Sequence, residues 1–105
     1  MTAENLKIIK QLIRKFGEVA TVDKIQEESQ ELGLALHQLK CPTKIDKKKL
    51  LNDVYSELAD MKIAMRSAEM LFNKRKINRI VNKKLQKKKE KYLTPLKPAP
   101  KTIKS

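Results

Sequence analysis

Residues 51–72 read LNDVYSELADMKIAMRSAEMLF. Leu51, Val54, Leu58, Met61, Met65, Ala68 and Phe72 recur in alternating steps of three and four, the spacing of one apolar stripe along an α-helix. Asp46 precedes the stretch as an N-cap, because its carboxylate can accept from the free amides of a first turn. Counted from Asp46, such a helix is about 40 Å long at about 1.5 Å per residue. A chain this short cannot cover it alone, so the seam predicts a partner copy, as a homo-dimer or homo-tetramer. Glu57 and Asp60 stand beside the seam, three apart, and share one helix face.

Upstream, Val22, Ile25, Leu32, Leu36 and Leu39 predict a second helix, capped at Thr21 or Asp23 and ended by Cys41-Pro42. It carries Glu27-Glu28-x-x-Glu31, whose three carboxylates fall within an arc of roughly 100°. Glu28 lies three past Ile25 and four before Leu32, so it borders the buried stripe. A short turn at Cys41-Pro42-Thr43 would make the two helices antiparallel and bring as many as five carboxylates together: Glu27, Glu28, Glu31, Glu57 and Asp60. Like charges that close are costly unless a cation neutralises them or some take up protons. A set of oxygen ligands alone favours a hard divalent ion, Mg²⁺ or Mn²⁺.

The remaining elements are predicted as helices too. Leu6, Ile9, Leu12, Ile13 and Phe16 give an amphipathic helix from Ala3 to Phe16, with Gly17 as its C-cap. After a break at Asn73, a fourth helix runs from Lys74 to Tyr92 with Ile77, Ile80, Val81 and Leu85 on one face. Lys84 falls on that same face, where it either snorkels outward or points its ammonium into the acidic site. Three prolines after Tyr92 make 93–105 an extended or disordered tail. The expected architecture is all-α: a four-helix bundle over 1–92, followed by the tail.

Composition agrees with one small domain: 105 residues, two Gly, no Trp, and 35% charged. The single Cys41 suits a reducing compartment. No apolar run approaches the roughly 18 residues a membrane span needs, and Glu4, Lys7 and Lys10 interrupt anything resembling a signal peptide. The expectation is a cytoplasmic protein. The net charge of +13 is uneven. Residues 1–72 carry 12 Lys or Arg against 11 Asp or Glu, and 73–105 carry 13 against Glu90 alone. Basicity is therefore terminal, and would attract nucleotides or nucleic acid.

Glu27-Glu28-x-x-Glu31, followed at a distance by Glu57-x-x-Asp60, resembles the signature of the MazG-like all-α nucleoside triphosphate pyrophosphohydrolases, in particular their short phage and bacterial members. The likeness also takes in Phe16-Gly17, Leu-Ala-Asp-Met around Asp60, and Met70-Leu71-Phe72. It covers about residues 4–92. The resemblance implies Glu28, Glu31, Glu57 and Asp60 as Mg²⁺ ligands (Mn²⁺ as an alternative), with Glu27 orienting a ligand or a water. It also implies a basic motif on the following helix. Lys76-Ile-Asn78-Arg79 copies its letters, whereas Lys84-Leu-Gln86-Lys87 has the better spacing from Asp60, which favours Lys84 and Lys87 as phosphate contacts. The implied reaction converts a nucleoside triphosphate to the monophosphate and pyrophosphate. No Ser, Cys or His nucleophile system accompanies these residues. His37 stands alone and Cys41 sits at a helix end.

A different class, a non-enzymatic helical module that uses its basic segment to bind nucleic acid, explains the charge directly. It leaves five acidic residues beside apolar seams without a purpose, and Tyr92 is the only aromatic in the basic run to stack a base. A redox di-iron bundle would need Glu-x-x-His pairs, which the motifs lack.

Overall fold

A computed structural model describes residues 1–41 and 46–93. Among them the chain is all-α, with four helices and no strand: α1 Ala3–Phe16, α2 Glu18–Lys40, α3 Lys47–Leu71 and α4 Lys74–Tyr92. No described helix is long and apolar enough to cross a membrane. The expected turn at Pro42-Thr43 and the segment 94–105 of the expected tail lie outside the described residues.

The helix ends follow from local chemistry. The Thr2 hydroxyl accepts from the Asn5 amide at 3.1 Å. The Asp46 carboxylate accepts from the Lys48 amide at 3.1 Å, and the Asn73 side chain accepts from the Lys76 amide at 3.0 Å. Each satisfies an amide that the first turn leaves without a helical partner. Asp46 thus caps where the sequence places it, and Asn73, expected only as a break between helices, is the cap of α4.

The start of α2 differs from expectation. Gly17 is both the C-cap of α1 and the N-cap of α2. Its φ of 88° lets the backbone change direction within one residue, at little cost only for glycine. Its amide donates to the Ile13 carbonyl at 2.8 Å, and its own carbonyl accepts from the Thr21 amide at 3.1 Å. Thr21 therefore lies inside α2 and Asp23 further in. The Thr21 hydroxyl donates back to the Gly17 carbonyl at 2.7 Å, so it caps nothing.

Residues 1–72 form one compact unit, in which α2 packs chiefly on α3 and α1 lies against both. The short connection between Lys40 and Lys47 makes α2 and α3 antiparallel. The seam of α2 is Thr21, Ile25, Glu28, Leu32, Ala35 and Leu39, all buried or half-buried. That of α3 is Leu50, Val54, Glu57, Met61, Ala64, Ala68 and Leu71. Val54, Met61 and Ala68 were expected there. The alternate positions shift by one residue: Leu58, Met65 and Phe72 stay 46%, 46% and 56% exposed, while Glu57, Ala64 and Leu71 turn inward. On α2, Val22 and Leu36 are likewise exposed, and Ala35 is buried instead. A small alanine at an inward position of each helix, Ala35 on α2 and Ala64 on α3, lets the opposite backbone approach closely there, whereas the longer Leu36 and Met65 beside them would hold it apart. The buried apolar core is Ile9, Ala35, Leu50, Val54 and Ala64. With two alanines among five residues it removes little apolar area from water.

The second unit begins at Asn73, inside the stretch 1–92 expected to fold as one piece. Its helix α4 has no buried residue, and Ile80, Val81 and Leu85 are exposed. Ten Lys or Arg between Lys74 and Lys91 are opposed by Glu90 alone.

Candidate functional site

Helix packing carries two carboxylates inward. Glu28 occupies a seam position of α2 between Ile25 and Leu32 and is only 5% exposed. Glu57 occupies the matching position of α3 between Val54 and Met61 and is half-buried. Glu31, one turn after Glu28 and more exposed, reaches the same place. One carboxylate oxygen from each of Glu28, Glu31 and Glu57 lies within 4.8 Å of the others. Such a cluster on a surface would mean little, but this one is built into the helix interface.

The hydrogen bonding around it is incomplete. Lys24 Nζ donates to Glu28 Oε1 at 2.9 Å and sits 3.8 Å from Glu27 Oε1. Glu28 Oε2 and Glu57 Oε2 are buried, and neither has a hydrogen-bond partner among the described residues. A buried polar oxygen without a partner costs about 1–3 kcal/mol, and more when charged. Two beside a third carboxylate form an arrangement that a divalent cation would satisfy. The donor set is oxygen only, as hard ions prefer.

The charges of the cluster are felt at its rim. The Glu31 carboxyl is held above its ordinary pKa, first by partial desolvation and then by the negative charges of Glu28, Glu57 and Glu27, with Lys24 opposing. The Lys24 ammonium is held above its own ordinary value, chiefly by the hydrogen bond to Glu28 and then by the charge of Glu27. For Glu31 the sign is that of an acid that binds its proton more tightly when folded. Its contribution is complete below the unfolded value near 4.5 and is lost as pH rises through the higher folded value. In metal-free buffer, the melting temperature of Glu31→Gln minus that of the wild type should therefore grow as pH rises from 4.5 towards 7. A flat difference across that window would contradict the clustering.

Of the five carboxylates expected to converge, three meet. Glu27, one residue and about 100° around the helix from Glu28, turns outward with a side chain 56% exposed and shares Lys24. Asp60 is half-buried, three residues beyond Glu57 on α3, and lines an adjoining cleft with Glu28. This cleft, of about 510 Å³, lies between α1, α2 and α3. Its walls are largely apolar, with Leu12 and Phe16 from α1, Ile25 from α2 and Ile63 from α3. Two hydroxyls in the wall are already committed, Thr21 to the Gly17 carbonyl and Ser67 to the Ile63 carbonyl at 3.1 Å. Lys24, Glu28 and Asp60 are left as the charged groups facing the cleft.

Lys84 and Lys87 lie on α4, in the second unit. With Lys88, Lys91 and Tyr92 they line a shallow hollow of about 260 Å³. Lys76 is exposed on the first turn of the same helix, and His37 and Cys41 are exposed at the end of α2. Lys24 is the site residue that the sequence reading missed, although Lys24 and Glu28 have the i,i+4 spacing of a helical ion pair.

Comparison of the chain with family models, curated proteins and solved structures finds no match.

Proposed function

We propose that the protein is a Mg²⁺- or Mn²⁺-dependent hydrolase that converts a nucleoside triphosphate to the monophosphate and pyrophosphate. The observation that carries this reading is the pair of buried oxygens without partners, Glu28 Oε2 and Glu57 Oε2, facing a third carboxylate beside an apolar cleft. Glu28, Glu31 and Glu57 would hold the cation, with Asp60 joining from the cleft side as the motif resemblance implies. When bound, the cation supplies Lewis-acid stabilisation of phosphate oxygens. The cleft is large enough for a base and sugar, and its apolar walls exclude water from them. Glu27, exposed at the rim, orients the attacking water. That water adds to the α-phosphorus and gives up its proton to solvent, the bond to the oxygen bridging the α- and β-phosphorus breaks, and pyrophosphate leaves. The motif resemblance implies Lys84 as the cation for the charge developing on that leaving group, with Lys87 as a further phosphate contact.

The test is a panel of ribo- and deoxyribonucleoside triphosphates with Mg²⁺, scored for both phosphate products. Pyrophosphate with monophosphate is expected from at least one substrate. Orthophosphate as the product, or no turnover of any triphosphate, would reject the reaction.

The assembly proposed is at least a homo-dimer. The support is the thin core of residues 1–72 together with the exposed Leu58, Met65 and Phe72, spaced by seven along α3 and its C-cap, which leave large apolar side chains on one side of the helix in water. Sedimentation at micromolar concentration should give at least twice the 12.2 kDa chain mass. A monomer would remove the dimer.

The exposed basic surface of α4 favours a second reading, a module that binds nucleic acid through phosphates. The two readings part on variants. For an enzyme, deleting 93–105 should leave the maximal rate nearly intact, with any loss appearing as slower substrate capture that high salt also produces. Lys84→Ala should lower turnover itself, by about tenfold or more. Tight, salt-sensitive polynucleotide binding without pyrophosphate release would make the module the better account.

A further inference from the structure

Among the described residues Lys24 is the cation paired with the carboxylate cluster, and its placement is specific. Its ammonium donates to Glu28 Oε1 at 2.9 Å, while the other oxygen of the same carboxylate is buried without a partner. Its side chain is 61% exposed and also lines the cleft. The lysine therefore stands where the acidic cluster and the apolar cleft meet, on a stem free enough to swing between them. We propose that Lys24 is an internal counter-ion that competes with the divalent cation for Glu28, and that loading the site turns its ammonium to the phosphates of a ligand in the cleft.

This rests on the reading of the cluster as a divalent-cation site. A cation among Glu28, Glu31 and Glu57 would place two positive charges against a carboxylate that already carries a third. Like charges so close repel even under a high effective dielectric. Lys24 then loses the main reason for its present position. Glu27 stays within reach at 3.8 Å, but its exposed carboxylate holds an ammonium weakly, and the more highly charged phosphates of a ligand at the mouth of the cleft draw a lysine as a mobile point charge. A purely structural lysine, there to hold Glu28 in place, would behave in the opposite way, since its removal would disorder a ligand.

The experiment titrates Mn²⁺ by paramagnetic resonance into the full chain, at fixed pH and salt, for wild type, Lys24→Met and Lys24→Arg. Circular dichroism monitors helix content. In Mn²⁺-saturated protein, the affinity for a triphosphate with an α,β-methylene bridge is then measured. Lys24→Met should bind Mn²⁺ about fivefold more tightly and the analogue about tenfold more weakly, with Lys24→Arg close to wild type in both. Unchanged or weaker Mn²⁺ binding by Lys24→Met would overturn the counter-ion role while leaving the cation site standing. Tighter Mn²⁺ binding with unchanged analogue affinity would overturn the turn towards phosphate. No Mn²⁺ uptake by the wild type would overturn the underlying reading of the cluster.

Discussion

Glu57→Gln should lose more than about a hundredfold in divalent-dependent turnover and, in metal-free buffer, melt a few degrees higher than the wild type. The two effects have one cause. Glu57 Oε2 is buried without a partner, beside carboxylate oxygens of Glu28 and Glu31. Without a cation this is a local cost, a charged group short of hydrogen bonds and close to like charges. The amide has nearly the same shape but no charge, so the fold keeps its packing and loses the repulsion. A gain of about 1 kcal/mol corresponds to roughly 4–8 °C for a domain of this size. For activity the sign reverses, because even outer-shell partners of metal ligands are worth about 10–100-fold and a direct ligand should exceed that. Glu28→Gln should lose turnover similarly but gain less stability, since it also gives up the charge pair with Lys24. Activity at the wild-type level in both variants would remove the site.

Divalent cation should stabilise the wild type by a much larger amount. A ligand that binds only the folded chain adds about 2.7 kcal/mol at a hundred times its dissociation constant. At the same conversion, this is roughly 10–20 °C in melting temperature. The gain should be absent from Glu57→Gln, and Mn²⁺ or Mg²⁺ should act at far lower concentration than Na⁺ at equal ionic strength, which separates coordination from screening. Chain concentration must be held constant, because a dimer also melts in a concentration-dependent way. A shift equal for all salts would mean that the cluster is only a region of negative potential.

Much of this arrangement was legible in the residues, for reasons that differ from place to place. Asp46 could be read as a cap because a capping side chain acts on amides two or three positions away. Glu28 could be read because its spacing from Ile25 and Leu32 leaves it no solvent face. The start of α2 could not, because Thr21 has the chemistry of a cap, while a single glycine at φ 88° serves both neighbouring helices. The α3 seam was half legible. Hydrophobicity pointed to Leu58, Met65 and Phe72, but close packing of α2 and α3 favours the smaller Ala64 and carries Glu57 inward. The same rotation explains why Glu57 is a better member of the cluster than its position beside the expected seam suggested. Asp60 was placed with Glu57 because a spacing of three puts both on one helix face, but that spacing does not say how far each carboxylate reaches into the helix interface. Lys24 was overlooked because lysines near acidic residues are common, and only the burial of Glu28 gives this one significance.

The central claim, that Glu28, Glu31 and Glu57 form a divalent-cation site, is tested most directly by titrating Mn²⁺ into the nucleotide-free protein and counting bound ions per chain. The account predicts saturable binding in the wild type, competed by Mg²⁺ and lost in Glu28→Gln and in Glu57→Gln. Binding that does not saturate, or that survives both substitutions unchanged, would contradict it.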